Sequence, residues 1–117
     1  MTTLSKKDSA NNEHVEKIDE IDQIIHSPSR LKILIVLAKV VKADFTFLVL
    51  TTGLTRGNLS ANLRKLEEVG YITIEKSFVN RVSRSMIQLT DHGMMALKSY
   101  QADMQMIIDA LLSELDS

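Results

Sequence analysis

Three features of the sequence predict an α+β, mostly α fold. The stretch TRGNLSANLRKLEEVG, Thr55 to Gly70, places Leu59, Leu63 and Leu66 at steps of four and three, the spacing of a helix that buries one stripe. The next stretch, YITIEKSFVNRVSRSMIQLT, reads as two strands joined by a polar, basic tip. From Asp91 to Leu115, apolar residues again recur at threes and fours through a long amphipathic helix. With a further short helix and turn ahead of Thr55, these make a winged helix-turn-helix with a two-stranded wing and a long C-terminal helix.

Taken in order, residues 1–17 are polar and aperiodic and read as a flexible tail, leaving 18–117 as one domain. Ile18, Ile21, Ile24 and Ile25 at helical spacing predict a first helix over residues 18–26. Ser27 suits a cap and Pro28 the first helical position, where its missing N–H costs nothing. The second helix should run to about Val41, with Leu31, Leu34, Ile35, Leu37 and Ala38 as its apolar face. In ADFTFLVLTTGLT, Asp44 caps a short helix, Leu48 and Leu50 are apolar positions, and Gly53, Leu54 and Thr55 make the turn.

The helix over 56–69 has defined ends, because Thr55 can accept from its first free N–H groups and Gly70 can adopt the left-handed conformation that closes it. Opposite its leucines lie Gly57, Asn58, Ala61, Arg64, Lys65 and Glu68, flanked by Arg56 and Ser60. A face that mixes small residues with side chains able to reach base edges suits the major groove of a duplex. Tyr71, Ile72 and Ile74 belong to the first strand and Met86, Ile87 and Leu89 to the second, with the hairpin turning near Val79 to Ser83. Within the wing, residues 78–84, Arg81 at the tip and Arg84 on the return can reach phosphate, and Arg81 can also enter the minor groove. Thr90 caps the last helix, and Asp91 sits favourably at the positive end of its dipole.

The chain resembles the small winged helix-turn-helix transcription regulators of the MarR and ArsR type. The resemblance runs over about residues 20 to 100, through HSPSRLKILIVL, ADFTFL, GNLSANLRKLEEVGYITIEK and IQLTDHG in that order and spacing. Members often carry His where this chain has Asn62 and Pro where it has Asp91. The resemblance implies a DNA-binding regulator. The DNA-facing candidates are Arg56, Asn58, Ser60, Ala61, Asn62, Arg64 and Lys65 on the helix, with Arg81 and Arg84 in the wing.

Composition agrees with such a role. Hydrophobic residues at 44% and charged residues at 25% are ordinary for a soluble domain, and no apolar run is long enough to span a bilayer. The net charge is only −1, but residues 56–86 carry six basic side chains against Glu67, Glu68 and Glu75, a surplus of three that leaves −4 elsewhere. Positive charge is thus concentrated where phosphates would lie. Without cysteine there is no disulfide or thiolate site, and the N-terminal residues lack the apolar core of a signal peptide, so a cytoplasmic location is expected. His14, His26 and His92 have no metal-ligand spacing around them, and there is no phosphate-loop glycine motif, so neither a cofactor nor an enzymatic activity is expected.

The apolar repeat of the last helix exceeds what one small domain needs. A homodimer is therefore expected, with Leu97, Tyr100, Met104, Ile107, Ile108, Leu111 and Leu115 at the interface, aided by Ile21 and Ile25. A small-molecule effector could sit in the cleft between two such helices, although no polar constellation marks it. The alternative reading is a winged-helix docking module for other proteins without DNA binding. The basic face of the 56–69 helix and Arg81 favour double-stranded DNA.

Overall fold

A computed structural model describes residues 15–116 of the chain. Its elements are α1 (residues 15–19), α2 (Pro28–Ala38), β1 (Ala43–Asp44), α3 (Phe45–Thr52), α4 (Arg56–Glu68), β2 (Ile72–Val79), β3 (Val82–Leu89) and α5 (Asp91–Leu115). They fall into two compact units. One runs from Gln23 to Leu97, and the other joins, of the described residues, 15–22 with 98–116.

In the Gln23–Leu97 unit the core is built from Ile33, Leu34 and Leu37 of α2, Leu48 of α3, Leu59, Leu63 and Leu66 of α4, and Ile72 and Ile87 of the sheet. Ser27 caps α2, its Oγ accepting from the Arg30 N–H at 3.4 Å. The helix stops at Ala38, short of the expected Val41, and its inner face is turned from the expected one. Ile33 is buried, whereas Ile35 and Ala38 are exposed. Nearly every residue from Leu31 to Ala38 is apolar, so this stretch has no contrast from which a face can be read. In α3, Leu48 is fully buried while Leu50 is exposed.

The sheet has three antiparallel strands in the order β1-β3-β2, one more than the expected two. Ala43 and Asp44 pair with Ile87 and Met86. Asp44 also caps α3, its Oδ1 accepting from the Phe47 N–H at 2.7 Å. One residue thus ends a strand and starts a helix. The β2–β3 register runs from Ile72↔Leu89 at the base to Val79↔Val82 at the tip.

The path from α4 into the wing and on to α5 is closely fixed. Gly70, at φ 79°, takes the left-handed conformation, and the Gly70 and Tyr71 N–H groups donate to the Glu67 and Leu66 carbonyls, both at 3.0 Å. These bonds satisfy the last carbonyls of α4. The Thr90 hydroxyl donates to the Gly70 carbonyl at 2.6 Å and accepts from the Gly93 N–H at 2.9 Å, while the Thr90 N–H donates to the Tyr71 carbonyl at 3.0 Å. A Cβ at Gly93 would overlap the Tyr71 carbonyl oxygen and come within 2.8 Å of Leu89 Cδ1.

In the other unit, α1 covers residues 15–19 rather than 18–26. Residues 15–17, expected in a flexible tail, are therefore helical, and residues 1–14, His14 among them, lie outside the described residues. The Lys17 ammonium lies 3.2 Å from the Glu20 carboxylate and 3.3 Å from that of Asp103, linking α1 to α5. The side-chain bonds to Glu20 and Asp103 hold the Lys17 pKa above the usual lysine value. Ile21 and Tyr100 are buried here, and Ile25 is fully buried in the Gln23–Leu97 unit, so all three are core residues of the single chain rather than free contact residues. On α5, Leu97, Met104 and Ile107 are half-buried, whereas Ile108, Leu111, Leu112 and Leu115 are exposed. Among the described residues no helix is long and apolar enough to cross a membrane.

Gly93→Ala should destabilise the chain by about 1–3 kcal/mol, because the added methyl must push the Tyr71 carbonyl away from the start of α5. Thermal unfolding of the variant beside the parent measures this, with a clearly lower midpoint expected for the variant.

Candidate nucleic-acid interface

The interface is built from α4 outward. The Thr55 Oγ1 accepts from the Asn58 N–H at 3.1 Å and defines the N-terminal end of the helix. Leu59, Asn62, Leu63 and Leu66 face inward, which leaves Arg56, Gly57, Asn58, Ser60, Ala61, Arg64, Lys65 and Glu68 exposed. The space beyond the Gly57 Cα is open. Small residues among the longer ones let the backbone of this helix come close to another surface.

Asn62 departs from its expected place on that face. It is buried at 9% exposure, and its Oδ1 accepts from Arg30 Nη1 at 3.0 Å. Its Nδ2 donates to the Asn58 carbonyl at 2.9 Å and also to Asn58 Oδ1. The position is legible after the fact, since 59, 62, 63 and 66 form one helical stripe and polarity alone suggests the outer face. Arg30, which the sequence did not single out, also donates through Nε to the Ile24 carbonyl and through Nη2 to the Gln23 carbonyl at 3.5 Å. These bonds satisfy carbonyls in a turn where a helix was expected.

The wing lies beside α4. Lys76 and Ser85 are paired across the hairpin and line a groove with Ser60, Arg64 and Phe45. Lys76 follows Ile72 and Ile74 at the period of two that defines one face of a strand. A second depression is lined by Asp44, Thr46, Arg56 and Arg84. The Arg56 guanidinium carbon sits 4.9 Å from the centre of the Phe45 ring, a cation–π contact that fixes a flexible cation at the start of α4. The structure thus gathers Ser60, Arg64 and Lys76 around the groove between helix and wing, and Arg56 and Arg84 around a second depression that shares Phe45 and Ser85 with it.

At the tip, Asn80 and Arg81 have φ of 51° and 66° and join the Val79↔Val82 pair as a two-residue loop. Two positive φ values in succession mark a type I′ turn, which matches the twist of the strands and favours Asn followed by Gly. This chain has Arg in the second place. A Cβ in the left-handed region costs roughly 1–2 kcal/mol, so the tip carries its cation at a cost in backbone energy.

Among the described residues there is no group of three or more His, Asp or Glu side chains placed to hold a metal. A short helix and turn, a second helix with an exposed basic face and a basic hairpin beside it define the winged helix-turn-helix class. Residues 29–108 match the family model described as a winged helix DNA-binding domain, and the chain belongs to that family. It is 36% identical over 78 residues to an uncharacterized protein of Methanocaldococcus jannaschii, a match covering 67% of this chain and 85% of the relative. It is similar to the solved structure of a transcriptional regulator homologue from Pyrococcus horikoshii OT3, with 34% identity, 82% of this chain and 97% of that one covered, and a TM-score of 0.76. At 17% identity, with 91% and 75% covered and a TM-score of 0.67, it shares its fold with MarR.

Arg81→Gly should raise stability by roughly 0.5–1 kcal/mol, the relief of the left-handed Cβ less the entropy glycine loses on folding. Urea titration of both proteins gives the difference, and a variant with a lower midpoint at equal slope would refute the strained tip.

Proposed function

We propose that this chain is a dimeric, sequence-specific regulator that places α4 in the major groove of double-stranded DNA and its wing on the backbone or in the minor groove. The observation that carries this reading is the exposed α4 face of Asn58, Ser60, Ala61, Arg64 and Lys65, flanked by Arg56 and continued by Lys76, Arg81 and Arg84 of the wing. Arg56 at the N-terminus of α4, with Asn58, Ser60 and Ala61 in its first half, occupies the part of a recognition helix that meets base edges. Arg64 and Lys65, further along, serve to anchor phosphates. The relationship to winged helix DNA-binding domains supports the same reading, and the protein would work in the cytoplasm.

The dimer rests on the far end of α5. Ile108, Leu111, Leu112 and Leu115 recur at threes and fours and are 44%, 56%, 51% and 70% exposed, an apolar stripe that a second copy would cover. Each such side chain contributes on the order of 1.5–3 kcal/mol when buried, before the costs of association. Two copies would present two α4 helices to half-sites about one DNA turn apart, so the preferred site would be a palindrome.

Binding to a random duplex should weaken steeply with salt. Arg81→Ala should lower the slope of log affinity against log salt by about 0.9, the loss of one phosphate contact. Fluorescence anisotropy over a salt series measures this; no salt dependence in the parent would overturn the reading. For the dimer, Leu111→Glu places a charge at an exposed position, so the fold should survive while association fails. Sedimentation at micromolar concentration should give a dimeric parent and a monomeric variant with weaker palindrome binding. A monomeric parent would refute the proposed interface.

A further inference from the structure

The three side chains Arg30, Asn62 and Asn58 form a chain of hydrogen bonds with a direction. A guanidinium can only donate, so the group that meets Arg30 Nη1 at 3.0 Å must be the Asn62 oxygen. The Asn62 amide nitrogen then points the other way, where it meets the Asn58 backbone carbonyl at 2.9 Å, a group that can only accept. Two partners of opposite and fixed character, one at each end, therefore set the orientation of the Asn62 amide. Because that nitrogen also donates to the Asn58 side chain, the Asn58 atom facing it is Oδ1. Asn58 itself is exposed, and the group it has left to present outward is its NH2.

We infer that Arg30, acting through Asn62, turns Asn58 into a donor that selects guanine at one base pair of the bound site. This rests on the reading of α4 as the groove helix. An asparagine free to rotate pairs with adenine through both amide atoms, accepting from N6 and donating to N7. With Oδ1 drawn inward, that two-bond contact is lost. In the major groove guanine presents two adjacent acceptors, N7 and O6, to an outward NH2. Thymine presents only O4 beside its methyl group and adenine sets its N6 donor beside N7, so guanine is the base that two donor hydrogens fit best. Arg30 and Asn62 are positioning residues, since neither reaches the exposed face. Asn62 is buried, and Arg30 is also tied to the carbonyls of Gln23 and Ile24, so the orientation is anchored in the turn before α2.

The test is selection of bound sites from a random duplex library with the full-length parent, Asn58→Ala and Asn62→Asp. Asp at position 62 keeps an acceptor for Arg30 but can no longer donate to Asn58, whose NH2 then turns inward and whose oxygen turns out. The parent should select guanine at one position of each half-site, Asn58→Ala should accept any base there, and Asn62→Asp should exchange guanine for adenine or cytosine, which offer a donor. Loss of a side chain that merely supports the fold would weaken binding without exchanging one base for another. If Asn58→Ala relaxes one position but Asn62→Asp keeps guanine there, the inference falls and the groove reading stands. If the parent and Asn58→Ala select the same sequence, the placement of Asn58 in the groove falls and the inference with it. Should Asn62→Asp fail to fold, amide proton exchange of the free parent decides by nuclear magnetic resonance. Protected Asn62 NH2 protons with fast-exchanging Asn58 NH2 protons uphold the inference, and protected Asn58 protons overturn it.

Discussion

At the junction of α4, the wing and α5, the Thr90 hydroxyl donates to the Gly70 carbonyl and accepts from the Gly93 N–H, so the end of one helix and the start of another share one side chain. Gly93 makes this possible, because any Cβ there would meet the Tyr71 carbonyl. The base of the hairpin is held between the two helices, with Ile72 opposite Leu89. The direction in which the wing leaves α4 is therefore fixed by hydrogen bonds and steric exclusion at its root. The groove that Ser60 and Arg64 share with Lys76 and Ser85 depends on that direction. A site made from two elements needs both held by the same rigid joint.

Within α4 the division of labour follows the helical period, with one polar exception. Leu59, Leu63 and Leu66 bind the helix to the core through burial alone, which specifies depth but leaves rotation about the axis to packing. Asn62 on the same stripe adds directional bonds to Arg30 and Asn58. A buried amide is tolerated only when its partners are present, and here its oxygen and nitrogen are both engaged. The Arg56 cation is similarly restrained by the Phe45 ring. On the outer face, Arg56 is thus held by Phe45 of α3, and Asn58 by Asn62, which is itself held by Arg30 of α2.

How much of this was legible in the sequence depends on contrast. The α4 helix and its ends were readable because leucines at regular steps stand out among polar neighbours and because Thr55 and Gly70 have distinct roles at a cap and a stop. The tip was readable because Asn80 marks a tight turn, and the last helix came out at Asp91–Leu115 with Thr90 as its cap. The strand β1 was missed because two residues cannot show alternation, and its pairing with β3 exists only in three dimensions. The first helix was misplaced because Ile21 and Ile25 are buried in segments that lie outside any helix, which helical spacing alone cannot distinguish from helix. The inner face of α2 was misread for want of polar residues, and Asn62 was assigned to the outside because its partner lies 32 residues away.

The hairpin carries a gradient from its root to its tip. At the root, Ile72 and Ile87 are fully buried. At the tip, Phe78 and Val82 are 78% and 61% exposed and Arg81 occupies a conformation that suits glycine. Among the described residues no contact accounts for placing exposed apolar side chains and a strained cation together, since Asn-Gly would make the same turn at lower cost. Local departures of this kind are expected where a surface serves a partner rather than its own fold. A basic tip on a firmly rooted hairpin fits the proposed role of the wing, because a cation at the end of a rigid arm neutralises phosphate with little further loss of freedom. The same economy applies to α4, where Arg30 acting through Asn62 has already restrained Asn58, and Phe45 has restrained Arg56, before any partner is met.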